Sequence, residues 1–174
     1  MSMNHAKEIV IVNLSIDIMN KSKDKLLEHF LRPRNVGTIE DADGYSSVEN
    51  PINGYRTDIY IKIQDGKIED IKFKTIGCTA TIASDSALTE IINGKKIEEL
   101  IIKNISFENL LKSINEELGK VPDKNWHCPP TAILAFFTAI NNYYKKIGDK
   151  GKISQTEELI NIVNKYFEDT LTKL

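Results

Sequence analysis

Ile59-Tyr60-Ile61-Lys62-Ile63-Gln64-Asp65-Gly66-Lys67-Ile68-Glu69-Asp70-Ile71-Lys72-Phe73 is the stretch that decides the fold. Ile59, Ile61 and Ile63 alternate with Tyr60 and Lys62, the period of a strand with one buried face. Ile68, Ile71 and Phe73 follow beyond a polar break. Asp65-Gly66 at that break is the pair that suits a tight hairpin turn. Period-two patterning extends from Tyr45 to Thr75, so a short antiparallel sheet of three strands is expected.

On the upstream side a helix is expected from Lys21 to Leu31, with Leu26, Leu27 and Phe30 as its apolar stripe and Pro33 as its stop. Arg32-Pro33-Arg34-Asn35-Val36-Gly37 then reads as a structured turn. Further upstream, Val10, Val12, Leu14, Ile16 and Ile18 alternate within Lys7 to Met19, which reads as a strand or a poorly ordered arm, and Met19 is a candidate start. Downstream, Ala80, Ala83, Ala87, Leu88 and Ile91 recur at helical spacing, and Asn93-Gly94 ends the run. Short helices are expected over Lys96–Ile101 and Phe107–Ile114, and a long one from Pro129 to Ile147, where Ile133, Phe137, Ile140 and Tyr144 step by four and three. Lys150-Gly151-Lys152 reads as a hinge before a last amphipathic helix, Gln155 to Leu171. Sheet first and helices after make an α+β fold. The expected divisions are an N-terminal arm over 1–20, a main domain over 21–148 and a C-terminal helical extension over 149–174.

The chain of 174 residues is about one domain at roughly 150 residues each. It can bury a core without disulfides. Hydrophobic residues make up 41% and charged residues 28%, a balance that excludes a disordered tail. Lysine and arginine number 23 against 25 aspartates and glutamates, a net charge of −2. Nucleic acid is therefore not an expected partner, since phosphate binding draws on a cationic excess. No apolar run approaches about 18 residues, so no membrane partner is expected either. Ile9 to Val12 is too short for a signal-peptide core, and a cytoplasmic location is expected. In that reducing setting the only two cysteines, Cys78 and Cys128, read as reactive, metal-binding or inert rather than bridged.

Both cysteines fall at expected helix starts. Cys78 follows Gly77 and precedes the first periodic helix; Cys128 precedes Pro129-Pro130, and proline favours the first helical turn. Unpaired N–H groups and the helix dipole there stabilise a thiolate, the form that binds metal or attacks sulfur. Against this stands the plain alternative of two small buried hydrophobes. His127 adjoins Cys128, and imidazole with thiolate suits iron or zinc. Three candidate ligands thus emerge, where a tetrahedral site needs about four. His5 lies in the N-terminal arm and His29 on a polar helix face, so neither is expected to ligate. Trp126 reads as a core or rim aromatic. The chain has no P-loop, no G-x-G-x-x-G and no G-x-S-x-G, and adjacent His127 and Cys128 make a poor catalytic dyad. No motif here points to a particular enzymatic activity, and a Cys/His hydrolase from Cys78 or Cys128 with His127 is conceivable.

At these residues the sequence resembles the NifU/IscU-type scaffold proteins of iron–sulfur cluster assembly. Four segments carry the resemblance: Leu27-Glu28-His29-Phe30-Leu31-Arg32-Pro33-Arg34-Asn35-Val36-Gly37, Asn50-Pro51-Ile52-Asn53-Gly54, the run from Phe73 to Ser86 centred on Gly77-Cys78, and His127-Cys128. The similarity as a whole runs from about Ser22 to Lys146. The resemblance implies helices packed on one face of the small sheet, with the ligands at one exposed end. It also implies a protein that receives sulfur as persulfide from a cysteine desulfurase, gathers iron, and passes a cluster, expected as [2Fe-2S], to apo iron–sulfur proteins. On this reading Cys78, His127 and Cys128 match family ligands, and Cys128 is the candidate persulfide acceptor. A homodimer is compatible with it.

The chain departs from the family at three places. The family's first cysteine falls on Asn53, whose amide oxygen is a weaker ligand than thiolate. Its aspartate falls on Tyr55. Its leucine-proline-proline-valine-lysine segment, associated with an Hsp70-type chaperone, survives only in part as Val121-Pro122-Asp123-Lys124, so a chaperone partner is not assured. Three readings follow. The first is a cluster scaffold or carrier using Cys78, His127 and Cys128, with Asn53, a bound thiol or a second subunit as fourth ligand. The second is a zinc-binding or persulfide-relay protein, and the third an interaction module without metal chemistry.

Overall fold

The Asp65-Gly66 turn forms as its chemistry requires: both residues take left-handed backbone angles, φ 51° and 71°, which match the twist of the flanking strands. In the computed structural model, which describes residues 24–174, this turn joins β2 (Arg56–Gln64) to β3 (Lys67–Ile76). The expected arm over 1–20, the strand over 7–19, the Met19 start and the first residues of the helix from Lys21 lie outside the described residues. β1 (Gly44–Glu49) pairs with β2, and the sheet is antiparallel in the order β1-β2-β3. The three expected strands are therefore present. A register shift at Lys62/Ile63 bends the β2–β3 pair near its turn.

Alternation decides which face is buried. Ile59, Ile61, Ile71 and Phe73 point into the core with the inner faces of the helices. On the opposite face the Tyr45 and Tyr60 rings meet at 4.9 Å, tilted by 41°. Burying the four inward side chains is worth about 1.5–3 kcal/mol each. The fold is α+β with the helices on one side of the sheet.

The helices are α1 (Lys25–Leu31), α2 (Thr79–Ile92), α3 (Ile97–Leu100), α4 (Ser106–Leu118), α5 (Cys128–Ile147) and α6 (Lys150–Leu171). A 3₁₀ turn at Asp123–Asn125 leads into α5. Asp24 caps α1 by accepting from Leu27 N at 3.1 Å. α5 is the central element: it packs on β1, β2, α2, α4 and α6. Ala132, Ala135 and Ala139 on α5 are buried and small, and Ser46 of β1 donates to the Ala135 carbonyl at 2.7 Å.

The Lys150-Gly151-Lys152 hinge does not exist. Those residues form the first turn of α6, because Asp149 Oδ1 accepts from Lys152 N at 3.0 Å and caps the helix. Gly148, with φ 77°, closes α5 immediately before it. α6 folds back on α5 and buries Leu159, Val163 and Phe167.

Candidate functional site

The strand register brings the site together. Arg56 of β2 faces Ile76 of β3, so the 50–55 connection and Gly77-Cys78 leave the same end of the sheet. Helix α5 starts at Cys128, directly after His127.

Cys78 is the N-cap of α2 and is partly exposed. Its Sγ lies 3.3 Å from Thr81 Oγ1, and Asn125 Nδ2 donates to it at 3.7 Å. Thr81 Oγ1 also lies 3.5 Å from Cys128 Sγ, so one hydroxyl bridges the two thiols. Gly77 makes room for that hydroxyl. A Cβ there would meet the Thr81 side chain at 2.7 Å. His127 Nδ1 is 3.7 Å from Cys128 Sγ and accepts from Asn50 Nδ2 at 2.8 Å. Asn50 gives its other amide proton to Thr131 Oγ1 at 2.9 Å, and its carbonyl oxygen accepts from Ile52 N at 2.8 Å. Both amide protons are used, and the side chain locks the 50–52 turn to the start of α5.

Electrostatics divides the two thiols. Burial pushes Cys78 up, but the Thr81 hydroxyl, the Thr81 and Ala80 N–H groups and the Cys128 thiol outweigh it, and the net pKa lies below the ordinary value. Cys128 is 1% exposed, and burial pushes its thiol up to about 12, with Cys78 adding to the rise. The expectation of a helix-stabilised thiolate therefore fails at Cys128: desolvation there exceeds what the helix terminus supplies. His127, 5% exposed, is held below its ordinary pKa by burial, despite a hydrogen bond to the Lys124 backbone that acts the other way. A neutral imidazole protonated toward Lys124 leaves the Nδ1 lone pair facing Asn50 and Cys128.

Cys78, His127 and Cys128 thus meet at one end of the sheet, as a contiguous chain of polar contacts. Their ligand atoms do not all fall within 4.8 Å of one another, and the Thr81 hydroxyl is in contact with both sulfurs. Two thiols and an imidazole suit iron, zinc or an iron–sulfur cargo. Asn53 shares that end of the sheet but is exposed, and its amide oxygen accepts from Tyr55 N at 3.0 Å within its own turn.

Behind the site lies Asp85, fully buried on α2. Its Oδ2 accepts from the Thr57 and Thr75 hydroxyls of β2 and β3. Oδ1 has no hydrogen-bond partner among the described residues, and burial raises the pKa to about 7.

His29 is not on a polar face. It is 0% exposed, because α1 packs on both α2 and α4 and turns the ring between them. Nε2 donates to Glu117 Oε1 at 3.2 Å and faces Glu90 at 3.7 Å, while Nδ1 meets Ser86 Oγ at 2.8 Å. Arg34 and Lys25 already neutralise these carboxylates, at 3.5 Å from Glu90 and 3.9 Å from Glu117. The cluster is an ion-pair tie between three helices.

Asn50, Thr81 and Asp85 fall in segments that carry the family resemblance and Asn125 falls outside them, but the role of none of the four is legible in the sequence. Asn50 precedes proline and reads as an ordinary turn residue, and Thr81 is one polar residue within a small-residue helix. Their partners lie 77 and 47 positions away, as for Asn50–His127 and Thr81–Cys128.

Comparison with known proteins agrees with this geometry. The chain matches the NifU-like N terminal domain over residues 21–150. It is 45% identical over 136 residues to the iron-sulfur cluster assembly scaffold protein IscU 1 of Archaeoglobus fulgidus, covering 78% of this chain and 83% of that protein. It is 40% identical over 127 residues to the IscU scaffold protein of Aquifex aeolicus, covering 72% and 77%. The Escherichia coli IscU scaffold protein is 38% identical over 128 residues, covering 71% of this chain and 94% of that one. Family profile, relatives and the meeting of Cys78 with His127-Cys128 agree, and the chain belongs to the NifU-like N-terminal domain family.

Proposed function

We propose that this protein is a scaffold or carrier in iron–sulfur cluster assembly. Its cargo is held by Cys78, Cys128 and His127 and passed on to apo-proteins. The observation that carries the reading is the Thr81-bridged pair of thiols beside His127, whose Nδ1 ligates once it gives up the hydrogen bond from Asn50. The relatives bearing the scaffold name support it.

Sulfur enters at Cys78 in this conformation. That thiol is partly exposed and its pKa is lowered, whereas Cys128 is buried and protonated. The Cys78 thiolate attacks the outer sulfur of a persulfide on a cysteine desulfurase. A new S–S bond forms on Cys78, and the desulfurase cysteine leaves as thiolate. The acceptor role expected for Cys128 requires that Thr81 and the start of α5 first move aside. A two-electron donor such as a dithiol then reduces the sulfane sulfur to sulfide, and iron binds between the sulfurs once the Thr81 hydroxyl rotates out. The fourth ligand comes from outside the three: Asn53 freed from Tyr55, a small thiol, or a second subunit. The cluster expected on this set is [2Fe-2S], since one iron of such a centre tolerates nitrogen in place of sulfur.

Zinc is the second reading. Two thiolates and an imidazole with a weak fourth donor satisfy Zn²⁺ as well.

The test is transfer. Protein loaded anaerobically with iron and sulfide is mixed with an apo-ferredoxin, and ferredoxin absorbance and redox activity are followed. Transfer faster than from free iron and sulfide supports the carrier. Loading with zinc alone, to the exclusion of iron and sulfide, refutes it.

A further inference from the structure

The family match ends at residue 150, and α6 begins there. Yet α6 reaches the site. Trp126, the single tryptophan of the chain, lies between the 3₁₀ turn and His127. Its ring stands edge-on to the His127 imidazole, at 5.8 Å and 85°. Phe167 and Tyr166 of α6 also pack on it, at 5.8 Å and 6.0 Å. Phe167 is 3% exposed, and Tyr166 is backed by Phe107 of α4 at 5.2 Å. The same short turn supplies Asn125 to Cys78. One segment, residues 123–127, thus touches Cys78, carries His127 and is gripped by α6.

We propose that α6 is a clasp that positions the metal-binding site: Phe167 and Tyr166 hold Trp126, and Trp126 holds the turn that presents Asn125 and His127 to the two thiols. Trp126 and Phe167 are positioning residues. An offset or edge-on aromatic contact has a preferred geometry, so it sets orientation as well as burying area. The rotamer of a ligand is fixed by what packs behind it, and losing such support typically weakens metal binding about 10- to 100-fold. The affinity part rests on the function proposed above; the geometric part does not.

Two full-length variants separate positioning from general loosening. Phe167→Ala removes the grip on Trp126. Leu159→Ala removes an equally buried α6 side chain eight residues earlier, about 12 Å along the helix. In metal-free protein, the clasp predicts that Phe167→Ala shifts Trp126 emission to the red. It also predicts that the His127 ring-proton resonances move toward their free-peptide positions, while Leu159→Ala keeps both as in the parent. Ferrous ion titrated anaerobically should bind about 10- to 100-fold more weakly to Phe167→Ala and unchanged to Leu159→Ala. Should Phe167→Ala fail to fold, Phe167→Leu keeps most of the volume, removes the ring and carries the same expected signs. Parent-like His127 resonances in the ring-deleted variant, or equal changes in Leu159→Ala, overturn the clasp. If the parent itself binds no ferrous ion, the function proposed above fails, and the metal-free spectra still decide the clasp.

Discussion

Replacing Asp85 by asparagine should reverse part of the protein's pH dependence. Asp85 is fully buried, one oxygen lacks a partner, and burial raises its pKa from 3.8 to about 7. The folded state therefore keeps a proton that the unfolded chain has already lost between these values. Stability contributed by that proton is complete below 3.8, declines as pH rises through the window, and is gone above about 7. The full span is worth about 4 kcal/mol at 1.36 kcal/mol per pKa unit. Between pH 5 and pH 8 the loss is about 3 kcal/mol. Asparagine never ionises, and its oxygen still accepts from Thr57 and Thr75. Its NH₂ group, however, takes the place of the unpartnered oxygen at a fixed cost of about 1–3 kcal/mol. That cost does not vary with pH. Urea unfolding followed by far-ultraviolet circular dichroism at pH 5, 6, 7 and 8 should show Asp85→Asn gaining about 3 kcal/mol on the parent from the lowest to the highest pH. Parallel stability curves for the two proteins would refute a raised Asp85 pKa and the dry environment inferred for it.

Other expectations follow from the site. Thr81→Val removes the hydroxyl that lowers the Cys78 pKa, so iodoacetamide should label Cys78 more slowly at pH 7, while Cys128 stays unlabelled in both folded proteins; equal rates would remove Thr81 from the account. Asn50→Ala strips His127 Nδ1 and Thr131 of a buried donor and should cost about 1–3 kcal/mol by denaturant unfolding. A loss below about 0.5 kcal/mol would mean the Asn50 bonds do not tie the turn to α5. Asn53→Cys places a thiol in the exposed turn at the same end of the sheet and should slow loss of a reconstituted cluster to a chelator, whereas an unchanged rate would exclude that turn as the source of the fourth ligand.

How much of this was legible depends on whether the partner lay nearby in the chain. The β2–β3 hairpin was readable because isoleucine alternation and Asp65-Gly66 are local signals that agree. The starts of α2 and α5 were readable from Gly77-Cys78 and Cys128-Pro129-Pro130 for the same reason. Gly151 misled because a glycine reads as a break, although the Asp149 carboxylate that caps the helix by accepting from Lys152 N is itself a local signal. His29 misled because a helix wheel cannot show that α4 covers the second side of α1. The thiols divide along the same line. A helix terminus favours thiolate at both, and only the packed structure shows that burial wins at Cys128 and loses at Cys78. Thr81, Asn50 and Asn125 act across long sequence separations, so no local pattern marks them.

Iron and acid-labile sulfide measured per chain after anaerobic reconstitution, for the parent beside Cys78→Ala, Cys128→Ala and His127→Ala, probe the shared site most directly. The parent should bind both elements in stoichiometric amounts with visible sulfur-to-iron absorption. Each cysteine variant should lose most of that binding, and the histidine variant should hold it more weakly. A parent that binds neither element, or cysteine variants that load as well as the parent, would contradict a cargo held by these three side chains.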